Sequence, residues 1–163
     1  MSYEIDIQNE DGYAIDAARL REATAAALRR HEVADETALS IVVTSNDAVA
    51  DLNRQYRGVD SPTDILSFPA PEPPVNIPGE APYLGDLIIA YPYAAAQAER
   101  EGHALNDSLA LLVVHGCLHL LGYDHGDHES KARMWAAQEA ILRDIGVPLE
   151  IVPALEGGAG HDE

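Results

Sequence analysis

The feature that most constrains the fold of this 163-residue chain is a pair of histidines, four residues apart, in an apolar stretch that a glycine ends. His115 and His119 are one helical turn apart, so a helix directs both imidazoles from the same face. Asn106 is predicted to cap this helix, and Gly122 to end it as a left-handed C′ glycine. The chain can then turn back and bring His125 to that face. The pattern predicts a helix, a tight turn and three converging imidazoles.

Three imidazoles with an open fourth position are typical of a catalytic zinc site. One Zn²⁺ per chain is therefore the predicted cofactor, with His115, His119 and His125 as its ligands. The spacing His-x3-His-x5-His, with a glycine seven residues after the first histidine, is that of metzincin peptidases. In those enzymes a glutamate general base follows the first histidine, and here Gly116 stands in its place. A peptidase is therefore disfavoured, and Gly116 is expected to let another backbone or a substrate approach closely.

Residues around the three histidines have more than one possible role. Asp124 is the nearest carboxylate in sequence, and either a general base or a group that orients a ligating imidazole is possible for it. Cys117 points away from the ligand face and is predicted to be a buried packing residue. His128 is predicted to be exposed at the start of the next helix. No chemistry is assigned to three other histidines, His31, His103 and His161.

Hydrophobic periodicity predicts an α+β fold, with about five helices packed on a small mixed sheet of about four strands. The predicted strands are near 3–7, 38–44, 64–68 and 84–90. The predicted helices are near 17–31, 47–56, 92–101, 106–121 and 127–145, and Asn46 is the expected cap of the second. Residues 1–155 are predicted to form a single domain. A proline-rich exposed loop is predicted at 70–82, and a disordered tail at 156–163 that folding does not need.

The charge balance limits the classes of function. The chain has 28 acidic and 10 basic residues, a formal net charge of −18, which makes a sequence-independent nucleic-acid coat protein improbable. No apolar run reaches the roughly 18 residues that span a membrane, and no secretory signal is visible. The single cysteine is consistent with a reducing compartment, so a cytoplasmic location is expected.

A second candidate segment follows the second predicted helix. Arg57 ends that helix and the turn Asp60-Ser61-Pro62-Thr63-Asp64 comes after it. An arginine beside a rigid turn is suited to bidentate recognition of a phosphate. The alternative is a solvated ion pair with the neighbouring aspartates.

Together these segments resemble the YbeY family, the bacterial endoribonucleases that act in ribosomal RNA maturation. The resemblance rests on three runs of sequence, His115-Gly116-Cys117-Leu118-His119-Leu120-Leu121-Gly122-Tyr123-Asp124-His125, Leu52-Asn53 through Leu66-Ser67-Phe68-Pro69, and Leu84-Gly85-Asp86. It implies an α+β fold, zinc on the three histidines and a functional role for Arg57 opposite the metal. Leu111 departs from the pattern, because many relatives carry a further histidine there.

The resemblance also implies a substrate and partners. These are single-stranded RNA, the 3′ end of the 16S ribosomal RNA precursor, the small ribosomal subunit with its protein uS11, and the GTPase Era. A role in ribosome quality control is implied as well. Either water or the RNA 2′-hydroxyl is possible as the attacking group.

Two rival functions remain. One is a zinc hydrolase of another substrate class. The other is a non-catalytic ribosome-assembly factor in which the zinc is structural and His128 or Asp124 supplies the fourth ligand.

Overall fold

The computed structural model of the chain describes residues 3–71 and 82–151. These residues form four strands, five α-helices and a short 3-10 turn. The strands are β1 (Glu4–Gln8), β2 (Ala38–Thr44), β3 (Ile65–Pro69) and β4 (Tyr83–Ala90), and the helices are α1 (Ala17–Arg30), α2 (Asn46–Arg57), α3 (Tyr91–Glu101), α4 (Leu105–Leu120) and α5 (His128–Ile145). The predicted α+β class with a small mixed sheet is confirmed.

The sheet has the strand order β1-β2-β4-β3. The first three strands in this order run parallel, and β3 pairs antiparallel with β4 at one edge of the sheet. Successive residues of β3 and β4 face opposite sides. Ile65 and Leu87 belong to the large core on one side, whereas Leu66 and Ile88 pack in a smaller cluster with Val49 of α2 on the other. The sheet therefore separates α2 from α4.

Helix α4 lies at the centre of the large core, and most of its residues from Leu109 to Leu120 are buried. Gly116 allows this close packing, because a Cβ built there would lie 2.7 Å from the Leu87 side chain and 3.1 Å from the Ile65 side chain. The expectation that Gly116 admits a backbone or a substrate is therefore wrong. The close neighbours of Gly116 are side chains of the sheet.

Two predicted helix caps are wrong for a common reason. Ser45 caps α2 through its side chain, and α4 begins at Leu105, before Asn106. Asn46 instead accepts a hydrogen bond from the backbone N–H of Tyr93, in the first turn of α3, whose own N-cap makes no side-chain bond. Asn106 accepts one from the backbone N–H of Asp16. Both amides therefore bond the start of another helix, which local sequence does not reveal.

Two predictions lie outside the described residues: most of the proline-rich loop, at 72–81, and the tail at 156–163. The domain boundary at residue 155 is also untested and stays a prediction. Among residues 3–71 and 82–151, no helix is both long and apolar enough to cross a membrane.

Candidate metal centre

The turn after α4 brings the third histidine back to the helix. Gly122 has φ of +100° and donates to the His119 carbonyl, while the N–H of Tyr123 donates to the Leu118 carbonyl at 2.9 Å. This pair of bonds is a Schellman motif, which needs a left-handed residue at Gly122. The predicted C′ glycine is confirmed. The turn satisfies the last carbonyls of α4 and reverses the chain within a few residues.

The structure brings His115, His119 and His125 together, with potential ligand atoms within 4.8 Å of one another. His115 is buried, and the other two are partly buried. Within the part of the chain that the structure describes, no other histidine, cysteine or carboxylate belongs to this group. Three imidazoles without a fourth protein ligand match the open arrangement of catalytic zinc sites rather than the closed arrangement of structural ones.

Hydrogen bonds fix which nitrogens of two imidazoles carry protons. Nδ1 of His115 donates to Oε1 of Gln138, and Nδ1 of His119 donates to the Tyr123 carbonyl, each at 3.0 Å, since both partners are acceptors. In the neutral rings each Nε2 then carries a lone pair, and these two atoms face each other at 3.1 Å. Facing lone pairs repel unless a proton or a metal ion lies between them. Tetrahedral zinc bonds of about 2.0–2.1 Å need nitrogens about 3.3 Å apart, so this pair of nitrogens fits Zn²⁺.

Two residues of helix α5 contact His115. Gln138, which is fully buried, bonds His115, and the Trp135 ring meets His115 and His125 edge-on with centroids 5.8 and 5.7 Å apart. Asp127 caps this helix, and hydrogen bonds from the Ser130 backbone and hydroxyl lower the pKa of its carboxyl. An ionised cap favours the helix that carries both groups. Sequence reasoning missed Gln138 and Trp135, because neither belongs to a local motif.

Helix α1 also reaches the turn. His31, the C-cap of α1, donates from Nδ1 to the Ala27 carbonyl at 2.9 Å, so its Nε2 accepts from the Tyr123 hydroxyl at 3.0 Å. Tyr123 in turn supplies the carbonyl that orients His119. His31, to which the sequence assigns no chemistry, is therefore linked to a candidate ligand through a single residue.

Three further residues lie close to the histidines in sequence: Asp124, His128 and Cys117. Asp124 is exposed, and its carboxylate accepts a hydrogen bond from the Gly126 N–H at 3.1 Å. The groups that orient the imidazoles of His115 and His119 are Gln138 and the Tyr123 carbonyl. A catalytic role for Asp124 stays a prediction. His128 is exposed at the first turn of α5, as predicted. Cys117 is buried, as predicted, and burial raises the pKa of its thiol to about 12. It does not belong to the three-histidine group.

Leu111, one turn before His115, is 3% exposed and belongs to the large core. An aliphatic side chain has no donor atom for a metal, so Leu111 serves packing in this chain.

Arg57 is held by an asparagine on its own helix. It is the last residue of α2, and its guanidinium donates from Nη1 to Oδ1 of Asn53 at 3.3 Å. Asn53 is 1% exposed and donates from Nδ2 to the Ser61 carbonyl at 2.8 Å, which ties the helix to the turn that follows it. The neighbouring Arg54 forms a solvated ion pair, with its guanidinium 3.0 Å from the Asp51 carboxylate. Asn53 is a third residue whose role sequence reasoning missed.

Contacts connect the ends of α2 and α4 through the edge of the sheet. The Tyr56 ring, next to Arg57 in sequence, meets the Phe68 ring of β3 with centroids 5.2 Å apart. A Cβ built on Gly85 of β4 would collide with the Phe68 carbonyl and lie 2.9 Å from the Leu120 side chain, which follows His119. Both helix ends therefore reach the same end of β3 and β4, from opposite faces of the sheet.

Comparison with known proteins decides the family. The family model described as Endoribonuclease YbeY matches residues 4–146. The chain belongs to the YbeY family. Among curated members, Endoribonuclease YbeY of Moorella thermoacetica is 47% identical over 134 residues, 79% of this chain and 84% of that protein. The family member of Chloroflexus aurantiacus is 40% identical over 154 residues, 92% of this chain and all of that protein.

A solved structure shows the same fold. The solution structure of TM1509 from Thermotoga maritima superposes with a TM-score of 0.58, covers 99% of both chains and is 23% identical. At this identity the likeness bears on the fold alone. The family resemblance read from the motifs is confirmed by the family model and the curated relatives, which carry the name of an endoribonuclease.

Proposed function

We propose that this chain is a zinc-dependent endoribonuclease that cleaves single-stranded RNA, and that His115, His119 and His125 hold the metal. The observation that carries the proposal is the pair of Nε2 lone pairs that face each other at 3.1 Å in a three-histidine group, within a chain of an endoribonuclease family. When bound, zinc supplies a Lewis acid that polarises a phosphoryl oxygen and lowers the pKa of water. Three ligands leave a position for that chemistry.

The residues of the chain have separate tasks in the proposed reaction. Gln138 and the Tyr123 carbonyl keep two imidazoles in the tautomer that presents Nε2. Arg57 grips the scissile phosphate and stabilises the negative charge that develops on it, and Asn53 limits the motion of the guanidinium. Asp124, in the loop that carries His125, is proposed as the proton acceptor.

The place of this reaction in the cell follows from the family resemblance and from charge. We propose that the chain acts in the cytoplasm on the 3′ end of the 16S ribosomal RNA precursor and in ribosome quality control. A net charge of −18 opposes electrostatic capture of bare RNA. Docking on the small ribosomal subunit through its protein uS11, together with the GTPase Era, delivers the substrate in this proposal.

The rival proposals have less support. A non-catalytic assembly factor with a structural zinc needs a closed site, and the histidine group has three members among residues 3–71 and 82–151. A peptidase needs a carboxylate base next to His115, where Gly116 instead packs on the sheet. Casein should therefore remain intact with the zinc-loaded protein, and zinc-dependent proteolysis that His119→Ala abolishes would overturn the RNA proposal.

The direct test uses nuclease-free protein and one labelled single-stranded RNA. His119→Ala should lower the rate of cleavage by roughly a thousandfold or more and lower the zinc content, because one of three ligands is lost. The matched control is His128→Ala, which removes an exposed histidine outside the group and should leave both unchanged. Equal cleavage by wild type and His119→Ala would exclude the proposed centre.

The same assay distinguishes the two attacking groups. A strand with a single 2′-deoxy nucleotide at the cleaved position should still be cut if water attacks, and should resist if the 2′-hydroxyl attacks. The ends of the product give the same answer, because only attack by the 2′-hydroxyl leaves a cyclic phosphate.

A further inference from the structure

An exposed aromatic ring lies beside the proposed phosphate-binding arginine. Among residues 3–71 and 82–151, three large apolar side chains are exposed: Tyr56 (66%), Val59 (41%) and Tyr83 (47%). Two of them, Tyr56 and Val59, flank Arg57 at the end of α2. Tyr83 lies elsewhere, at the start of β4, where its hydroxyl donates to the Ser40 hydroxyl at 2.8 Å. Exposure is therefore concentrated at one end of α2.

The Tyr56 ring is supported from one side and open on the other. It meets Phe68 with ring centroids 5.2 Å apart and an angle of 64° between the planes. Phe68 belongs to the edge strand β3 and packs against the small cluster that contains Leu66 and Ile88. The support therefore comes from the sheet, and two-thirds of Tyr56 remains in contact with solvent.

We infer that Tyr56, backed by Phe68, is a stacking surface for one base of a single-stranded RNA whose neighbouring phosphate Arg57 binds. This inference rests on the proposed function. An aromatic ring beside a guanidinium is the combination with which proteins hold single strands, since the ring takes the base and the guanidinium the phosphate. Stacking does not depend on net charge. It therefore contributes affinity for RNA in a chain whose net charge of −18 opposes electrostatic attraction.

The size and position of this surface favour a base over a protein partner. Two exposed side chains present far less area than the roughly 800 Å² per partner of a stable protein interface. Phe68 also adjoins Gly85, which adjoins Leu120 beside His119, so a base on Tyr56 lies at the end of β3 and β4 that the last turn of α4 also reaches. The base is a neighbour of the scissile phosphate and makes no chemical contribution to its cleavage.

The test measures RNA binding and cleavage with Tyr56→Ala and Tyr56→Phe. Because the variant loses one stacked base, Tyr56→Ala should raise the Kd and KM of a labelled single-stranded RNA by about tenfold, with kcat, zinc content and melting temperature unchanged. Tyr56→Phe keeps the ring and should match wild type. Tyr83→Ala, the matched control, removes the other exposed tyrosine and should not change Kd. Equal Kd for wild type and Tyr56→Ala overturns the inference.

RNA with single abasic nucleotides identifies the contact. An abasic nucleotide at the stacked position should weaken binding by wild type to the level of Tyr56→Ala and should not weaken Tyr56→Ala further. If an abasic nucleotide at every position weakened binding by wild type and by Tyr56→Ala to the same extent, Tyr56 would stack no particular base. That result would overturn the inference. Wild-type protein that binds the RNA through Tyr56 without cleaving it would refute the proposed function and leave the stacking surface in place. Wild-type protein that binds no RNA refutes the inference.

Discussion

The ends of α4 and α2 reach the same end of the sheet and are built in opposite ways. The end of α4 is buried, and its histidines are held by α5, by the following turn and, through Tyr123, by α1. The end of α2 is half-buried or exposed, and Arg57 bonds Asn53 on its own helix. Tyr56 beside it is 66% exposed.

This difference separates two kinds of constraint. Side chains at the end of α4 take part in packing, so a change there alters both the metal site and the fold. Side chains at the end of α2 contribute little to burial. The comparison therefore predicts that function and stability are coupled in the first region and separable in the second.

Outside the three candidate ligands, the largest effect is expected at Arg57, where activity should be lost without loss of the fold. Arg57→Ala should lower RNA cleavage by ~100-fold, about the loss caused by removing one group that stabilises developing charge, with zinc content and melting temperature nearly unchanged. Arg57→Lys should restore little, since an ammonium cannot make the two-pronged contact. The measurement is the cleavage rate of one labelled strand, with zinc assayed in each preparation.

The matched control for Arg57 is Arg54→Ala. It removes an exposed arginine from the same helix, together with its exposed ion pairs to Asp51 and Asp60, and should leave cleavage near the wild-type rate. Full activity in Arg57→Ala at full zinc occupancy would remove Arg57 from the mechanism. Equal losses in both variants would indicate a general effect of charge at this end of α2.

A smaller effect is expected at Gln138, and the property that changes should be the affinity for zinc. Gln138→Leu removes the acceptor of the His115 Nδ1–H and should weaken zinc affinity by about tenfold, as the loss of such an outer partner does. Gln138→Glu keeps an acceptor and should retain most of the affinity. Competition with a chelator measures both. If Gln138→Leu binds zinc as tightly as wild type, the hydrogen bond does not position the ligand.

The smallest effect is expected at Tyr123, one step further from the metal. Tyr123→Phe removes only the hydroxyl that donates to His31 and should weaken zinc affinity by about threefold, comparable to one neutral hydrogen bond. Tyr3→Phe is the control, because it removes a hydroxyl that donates to the Val33 carbonyl at 3.0 Å, away from the metal turn. Equal zinc affinity in the two variants would show that α1 does not influence the site.

Local sequence predicts the part of this molecule that depends on local geometry. The spacing of His115, His119 and His125 around Gly122 defines the helix, its Schellman turn and the three-histidine group. The strands of the sheet follow from periodicity because each buries one or both faces. These features need no knowledge of distant residues.

The remaining features depend on contacts between distant segments. Gln138 lies 23 residues after the histidine that it bonds, and His31 lies 92 residues before Tyr123. No spacing rule links such pairs. The strand order and the use of Asn46 and Asn106 to bond other helices likewise depend on how the elements pack. The sequence therefore predicted the candidate ligands and missed the groups that hold them.

The most direct measurement is a titration of zinc into metal-free protein, with cleavage of a labelled single-stranded RNA followed at each step. The metal-free protein should be inactive, and the cleavage rate should rise linearly with zinc to a plateau at one equivalent per chain. Cleavage at the full rate in the metal-free protein, or no cleavage at one bound zinc per chain, would contradict the proposed zinc-dependent function.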